Sequence, residues 1–200
     1  MKNKAVILGG GILLALVVIL GGMYIFEYGL FAPTEEVDEV TPEVKMVTEN
    51  YKTEFMVYGP EINFNNGCYV RHIDEITESS LTSDESFMYK VLVINDLEGD
   101  ITFSQDMIDL INDKMASDRV SVVYLGMGSE KFTDTGIYPN KFLGRPERQL
   151  LGVFCEKDWI TPTAQGIDDM AYEWYLEGNH HAVVNVIVEQ VSSSIRHDNK

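Results

Sequence analysis

The fold is decided by the stretch Tyr89-Lys90-Val91-Leu92-Val93-Ile94, which is short and nearly all apolar. Such a run is typical of a strand that is covered on both faces, as in a parallel sheet. A helix follows, with Ser104 as its cap. Its apolar residues repeat on one face, at Met107, Ile108, Ile111 and Met115. A second buried run occupies 120–125, so the segment predicts a β-α-β unit with two parallel strands.

Further strand candidates lie on both sides of this unit. Residues 149–155 form one, and residues 53–58 form another. Asn66-Gly67 is a strong two-residue turn signal between apolar runs, which predicts a hairpin over 61–73. We therefore predict an α/β fold: a small layered domain with a mostly parallel central sheet and an antiparallel β-hairpin.

Two helices are predicted near the end of the chain. Thr161 and Pro162 combine a capping hydroxyl with proline at the first helical position, and Gly178-Asn179 is typical of a helix end. The apolar residues that repeat at helical spacing between them are Ile167, Met170, Ala171, Trp174 and Tyr175. Trp174 and Tyr175 lie on this stripe and are predicted to be core residues. Residues 183–195 are rich in β-branched side chains, but their spacing fits a helix and not a strand.

Residues 5–26 form an apolar run without a charged side chain. A helix of this length would span about 33 Å, enough to cross a hydrocarbon core about 30 Å thick. Lys2 and Lys4 precede the run, and an acidic stretch begins at Glu27. The positive-inside tendency predicts a single-pass transmembrane helix, with residues 1–4 in the cytoplasm and residues 27–200 outside it.

The alternative is a cleaved signal peptide. The apolar run is longer than the usual signal core of about 7–15 residues. Leu30-Phe31-Ala32 also places a bulky residue where a signal peptidase prefers a small one. We therefore favour a retained anchor.

The chain is strongly acidic, with 15 Lys and Arg, 32 Asp and Glu, and a net charge of −17. This charge argues against a nucleic-acid surface and against docking on anionic lipid. It favours solubility and a basic partner. Two cysteines, Cys68 and Cys155, are too few for a disulfide framework, and either one bridge or two free thiols fits the sequence.

Residues 27–50 are predicted to be an acidic tether. This segment is rich in Asp and Glu and contains Pro33 and Pro42, a composition that keeps a chain extended. The remainder, 51–200, has the length of one extracytoplasmic domain.

Carboxylates follow the predicted strands. Asp96 and Asp100 come after the first strand of the β-α-β unit, and Asp158 comes after the strand at 149–155. The carboxyl ends of parallel strands meet at one edge, where α/β sheets bind ligands. Oxygen ligands suit Mg²⁺ or Ca²⁺, so these three residues are a candidate metal site. The alternative is that loops are polar in any protein.

The segment Asp96-Leu97-Glu98-Gly99-Asp100, followed by a helix and Asp118-Arg119-Val120, resembles von Willebrand A-type domains in its order. That family places Asp-x-Ser-x-Ser after its first strand to hold Mg²⁺, and a later Thr and Asp complete the site. The resemblance implies Asp96 as the first ligand and Thr161 or Thr163 as the threonine. Acidic residues replace both serines and no matching last Asp is present, so the resemblance bears on topology alone.

The loop over 126–148 is long for a compact domain, and long loops are often functional. It is less acidic than its surroundings and contains exposed aromatic character at Tyr138. Arg and Tyr are enriched at binding hot spots. The candidate partner-binding residues are Tyr138, Lys141, Arg145 and Arg148.

No catalytic motif accompanies these features: 126–130 matches neither the Gly-x-Ser-x-Gly elbow nor a phosphate-binding loop. The sequence favours a membrane-anchored extracytoplasmic interaction module with a protein partner, in a cell-envelope, secretion or adhesion assembly. The alternative is a domain that depends on a divalent cation, either an adhesion module or a hydrolase.

Overall fold

The computed structural model describes residues 40–127, 130–139, 147–156 and 160–199. The predicted span 5–26 and the first part of the predicted tether lie outside these residues. Within the described ranges, no helix is long and apolar enough to cross a membrane.

Six strands form one sheet in the order β2-β1-β3-β4-β5-β6. They are Thr53–Tyr58 (β1), Tyr69–Ile73 (β2), Tyr89–Asp96 (β3), Ser121–Met127 (β4), Arg148–Cys155 (β5) and Ile160–Gly166 (β6). The pairs β1–β2, β1–β3 and β3–β4 are parallel. The pairs β4–β5 and β5–β6 are antiparallel. The mixed α/β fold with a mostly parallel sheet is thus confirmed.

Helices cover both faces of this sheet. They are Pro42–Lys45 (α1), Glu78–Leu81 (α2), Gln105–Ser117 (α3), Glu130–Thr133 (α4), Asp169–Leu176 (α5) and His181–Asp198 (α6). Ile111 and Met115 of α3 pack on one face, against a cluster that includes Leu92. Residues of α1, α5 and α6 pack on the other face, where Val91 and Val93 point. Alternate residues of β3 therefore pack into two apolar layers, one on each face of the sheet. This explains why the apolar run of β3 is nearly continuous.

The predicted hairpin over 61–73 is wrong in its position. β1 and β2 are parallel neighbours, and residues 59–68 connect them. Ile62 and Phe64 are buried in the core from this connection instead of forming a strand. Gly67 still makes a turn, with φ of 81°, but the turn lies inside the connection. The antiparallel hairpin of the fold is β5–β6.

The helix predicted to begin at Thr161-Pro162 is also wrong in its first half, because residues 160–166 form strand β6. Pro162 has no N–H to donate. An edge strand such as β6 tolerates this, because no further strand pairs with its outer side. The helix begins after Asp168, whose carboxylate accepts from Ala171 N at 2.7 Å. Its predicted end is confirmed: Asn179 N donates to Trp174 O at 2.8 Å beyond Gly178, which has φ of 86°.

The structure corrects the boundary between tether and domain. Residues 41–50, which we assigned to the tether, form α1 and a following π-helical turn, Met46–Asn50. Val44 and Val47 are buried against α6, and Glu43 pairs with Arg196 at 2.7 Å. The folded unit therefore begins at Val40. Two apolar residues at helical spacing were enough to overcome the acidic composition of this segment.

Candidate functional site

The carboxyl ends of β1, β3 and β4 form the edge of the sheet where a ligand is expected. The chain passes from β1 to β2 on one side and reaches β3 and β4 on the other, so the strand order reverses between β1 and β3. Open α/β sheets bind ligands in the crevice at such a reversal. Asp96, the last residue of β3, lies at this edge.

Asp96 is buried and fully engaged. Its side chain is 0% exposed, and its Oδ1 accepts from Ile101 N at 2.8 Å. Its Oδ2 accepts from the Tyr124 hydroxyl at 2.7 Å and from Lys131 Nζ at 2.7 Å. A buried carboxylate needs such partners, since burial of an unpaired charge is costly. Burial raises the pKa of Tyr124, and its bond to the Asp96 carboxylate raises that pKa further. Asp96 thus holds two loops together and already has a cation beside it.

Lys131 extends this link. It lies at the start of α4, and its Nζ also donates to Gly99 O at 3.1 Å. The ammonium therefore ties the segment after β4 to the turn after β3. Glu98 and Asp100, in that turn, are exposed. The structure brings Asp96 and Asp100 to one edge, but only Asp100 faces solvent.

Asn95 closes the other side of the same edge. Its Nδ2 donates to Pro60 O at 2.9 Å and to the Tyr175 hydroxyl at 2.8 Å. Gly59, directly after β1, has φ of 98°, and a Cβ there would collide with the Asn95 carbonyl oxygen. Asn95 thus links the segment after β1 to α5, and the close approach of residue 59 to the Asn95 carbonyl requires glycine.

His180 completes the packing above this crevice. Its Nδ1 accepts from Asn63 N at 2.7 Å, and its ring lies 4.9 Å from that of Tyr175. Burial lowers the pKa of His180, against the opposing charge of Glu61. Burial is likewise the main cause that raises the pKa of Tyr175. A neutral imidazole that accepts a backbone N–H fastens the loop after β1 to the start of α6.

The third predicted ligand, Asp158, lies outside the described residues. The strand before it, β5, runs antiparallel to β4, and Cys155 N donates to Ser121 Oγ at 3.1 Å. The end of β5 is therefore beside the start of β4, at the edge opposite Asp96. Thr161 lies opposite Phe154 in β6, near that same far edge. In the ranges that the structure describes, no group of three His, Cys, Asp or Glu side chains is placed to hold a metal.

Two of the four predicted partner-binding residues can be located. Tyr138 was expected to be exposed, but it is 6% exposed, and its hydroxyl donates to Thr163 O at 3.2 Å. Arg148 stacks on Tyr172, with 3.3 Å from Cζ to the ring centroid, and lies 3.4 Å from an oxygen of Asp169. Lys141 and Arg145 lie outside the described residues. The described part of this loop therefore packs on its own domain.

Both cysteines are free thiols, which decides the question that the sequence left open. Burial raises the pKa of Cys68 to about 12 and the pKa of Cys155 to about 11. A thiol that stays protonated is a poor nucleophile and a poor metal ligand. Neither cysteine has the properties of a reactive site.

An exposed apolar pair on α5 was missed by the sequence reasoning. Met170 is 57% exposed and Trp174 is 43% exposed, whereas Ala171 and Tyr175 are buried. The predicted core position is confirmed for Tyr175 and is wrong for Trp174. Their spacing does not separate the two pairs, because an apolar stripe at positions 170, 171, 174 and 175 suits a helix whichever half of it is buried.

Comparison with known proteins adds no family: no protein-family model, no curated protein and no solved structure matches the chain.

Proposed function

We propose that this protein is a membrane-anchored interaction module. Residues 5–26 would anchor it, and the α/β domain would act outside the cytoplasm, without catalysis, in a cell-envelope, secretion or adhesion assembly. One observation supports this most. At the edge where an α/β sheet ordinarily binds a ligand, Asn95 is bonded to Pro60 and Tyr175, and Asp96 is bonded to Tyr124 and Lys131. Recognition by the outer surface is then the activity that the geometry favours.

The predicted topology can be tested with the full chain in cells, using a membrane-impermeant maleimide. Ser193 is exposed on α6, so Ser193→Cys should react in intact cells. Asn3→Cys, before the apolar run, should react only after lysis. The native thiols provide a low background because both are protonated. The reverse labelling pattern contradicts the topology, and a mature chain that lacks residues 1–26 contradicts the anchor.

The interaction itself can be tested by photo-crosslinking in native membranes. A photoreactive residue is placed singly at exposed positions on different elements: His72 on β2, Asn112 on α3, Met170 on α5 and Ser193 on α6. A discrete protein adduct from at least one position supports an interaction module. Absence of any adduct from all positions contradicts it. Lys141 and Arg145 remain predicted contacts, and the same scan extends to them.

A further inference from the structure

The exposed face of α5 combines apolar and acidic side chains. Met170 and Trp174 are separated by four residues and therefore lie one above the other on the helix. Together they expose a thioether and an indole, side chains that are normally enriched in the buried centre of protein interfaces. Elsewhere on the helix Ala171 and Tyr175 face the core, so this pair is not needed to dock α5 on its own domain.

A second pair of the same spacing borders the first. Glu173 and Glu177 follow Met170 and Trp174 by three residues each, which places them on the neighbouring stripe of the helix. Both carboxylates are exposed, and neither forms an ion pair with a residue that the structure describes. From Asp168 to Gly178 the chain contains no Lys or Arg. The nearby cation Arg148 pairs with Asp169 and stacks on Tyr172.

The negative charge of this face favours some binding partners over others. A second copy of the chain would bring Glu173 and Glu177 against identical carboxylates, which repel. An anionic lipid surface is repelled for the same reason. A basic segment would place cations beside the two glutamates and apolar side chains on Met170 and Trp174. An amphipathic helix with Lys or Arg next to its apolar stripe has this complementarity.

We propose that the α5 face formed by Met170, Glu173, Trp174 and Glu177 docks a basic amphipathic segment of the partner protein. This inference rests on the proposed interaction function and gives it a surface and a partner chemistry. Met170 and Trp174 contribute the apolar contact, and Trp174 is a residue type that often dominates binding energy. Glu173 and Glu177 select the sign of the partner's charge.

Trp174 allows a direct measurement of this docking. The chain has one other tryptophan, Trp159, so Trp159→Phe leaves Trp174 as the sole indole of the full chain. The probe is a synthetic helical peptide of Leu and Lys with one apolar face, and a Leu and Glu peptide of the same pattern is its counterpart. We expect the Lys peptide to shift Trp174 emission to shorter wavelength and the Glu peptide to leave it unchanged. Equal shifts with both peptides overturn the charge argument.

A matched pair of variants tests whether the face, and not the overall charge, is responsible. Glu173→Lys with Glu177→Lys should weaken binding of the Lys peptide at least about tenfold, as expected when like charges meet. Asp109→Lys with Asp113→Lys makes the same change in charge on exposed positions of α3, on the other face of the sheet, and should keep the affinity. Equal losses in the two variants overturn the proposal. An unchanged thermal midpoint shows that each variant is folded.

Two other outcomes also overturn it. Trp174 emission that shifts with lipid vesicles alone identifies a membrane surface, and a shift that depends only on protein concentration identifies self-association. The crosslinking scan separates this inference from the proposed function. Adducts from other positions but not from Met170 leave the interaction module standing and remove α5 as its surface. No adduct from any position removes both.

Discussion

At the scale of single residues, Asp96 connects several elements at the edge of the sheet. It accepts three bonds while its side chain is completely buried, and one of the donors is Lys131. If the Asp96 carboxylate is removed, these buried donors lose their acceptor, which is costly. In the described residues Asp96 links the segment after β3 to α4, and its role as a metal ligand stays a prediction.

Replacement of Asp96 by asparagine should therefore destabilise the fold. The amide keeps the size of the carboxylate but has one oxygen, so it cannot accept both from Ile101 N on one side and from Tyr124 and Lys131 on the other. It also lacks the charge that pairs with Lys131, so we expect a loss of about 2–3 kcal/mol in the free energy of unfolding. Asp100→Asn, an exposed carboxylate of the same segment, should change it by less than about 0.5 kcal/mol. Urea unfolding measures both. Equal effects of the two substitutions would contradict a structural role for Asp96.

His180 should make stability sensitive to mild acid. Because burial lowers its pKa, the unfolded chain binds the proton more readily than the folded chain. The contribution of His180 is therefore fully present above its unfolded pKa of about 6.5 and is lost as the pH falls through the lower folded value. His180→Asn keeps an acceptor for Asn63 N but does not titrate. Between neutral pH and weak acid, the free energy of unfolding should therefore fall less in His180→Asn than in the wild type.

The exposed His197 is the matched control for this measurement. His197→Asn should keep the wild-type dependence on pH. If His180→Asn also keeps it, the bond from Asn63 N to His180 does not couple protonation to folding.

At the scale of elements, the predictions succeeded where an apolar pattern runs through the whole element. Strand β3, helix α3 and strand β4 each carry a pattern within their own residues, and Ser104 caps α3 as expected, with Met107 N donating to its Oγ at 3.2 Å. Thr161 and Pro162 failed because a hydroxyl followed by proline fits an edge strand as well as a helix start. The direction of β5 could not be predicted, since no residue within Arg148–Cys155 encodes whether its neighbour runs parallel or antiparallel.

The same distinction holds for the candidate site. The position of Asp96 at the end of a strand follows from the local pattern, and the structure confirms that position. Its partners Tyr124 and Lys131 lie 28 and 35 positions away, so their bonds depend on tertiary packing. The apolar stripe of α5 predicted a helix, but which half of the stripe is buried depends on the angle at which the helix meets the sheet.

The segment formed by α1 and the π-helical turn after it gives a prediction of its own, because the structure includes this segment in the domain. Val47 is 0% exposed, and Val47→Ala should reduce the free energy of unfolding by about 1.5–3 kcal/mol through lost burial and a residual cavity. Val40, which is 48% exposed, provides the control: Val40→Ala should change it by less than about 0.5 kcal/mol. Chemical unfolding of both variants measures the difference. Equal small effects would place 41–50 in the tether after all.

At the scale of the whole molecule, the net charge of −17 is a source of self-repulsion. Salt screens this repulsion, so the thermal midpoint should rise between about 10 mM and about 150 mM NaCl, as the Debye length falls from about 30 Å to about 8 Å. A midpoint that does not change with NaCl would contradict net self-repulsion.

The same titration tests the predicted site for Mg²⁺ or Ca²⁺ at Asp96, Asp100 and Asp158. A MgCl₂ or CaCl₂ solution of matched ionic strength should give the same midpoint as NaCl if screening alone acts. A larger rise that disappears in Asp96→Asn would favour the cation-dependent alternative, because a bound ligand stabilises the folded state by mass action.

The position of α1 also has a mechanical consequence. Any tension that reaches the domain through residue 40 arrives first at α1 and the π-helical turn after it. These are held by the buried side chains of Val44 and Val47 and by the ion pair of Glu43 with Arg196. Strand β1, the next element, lies between β2 and β3 and is bonded on both sides. Under load the short helix should peel away before the sheet shears. Unfolding of this first segment would then lengthen the chain before β1 and leave the exposed face of α5 intact.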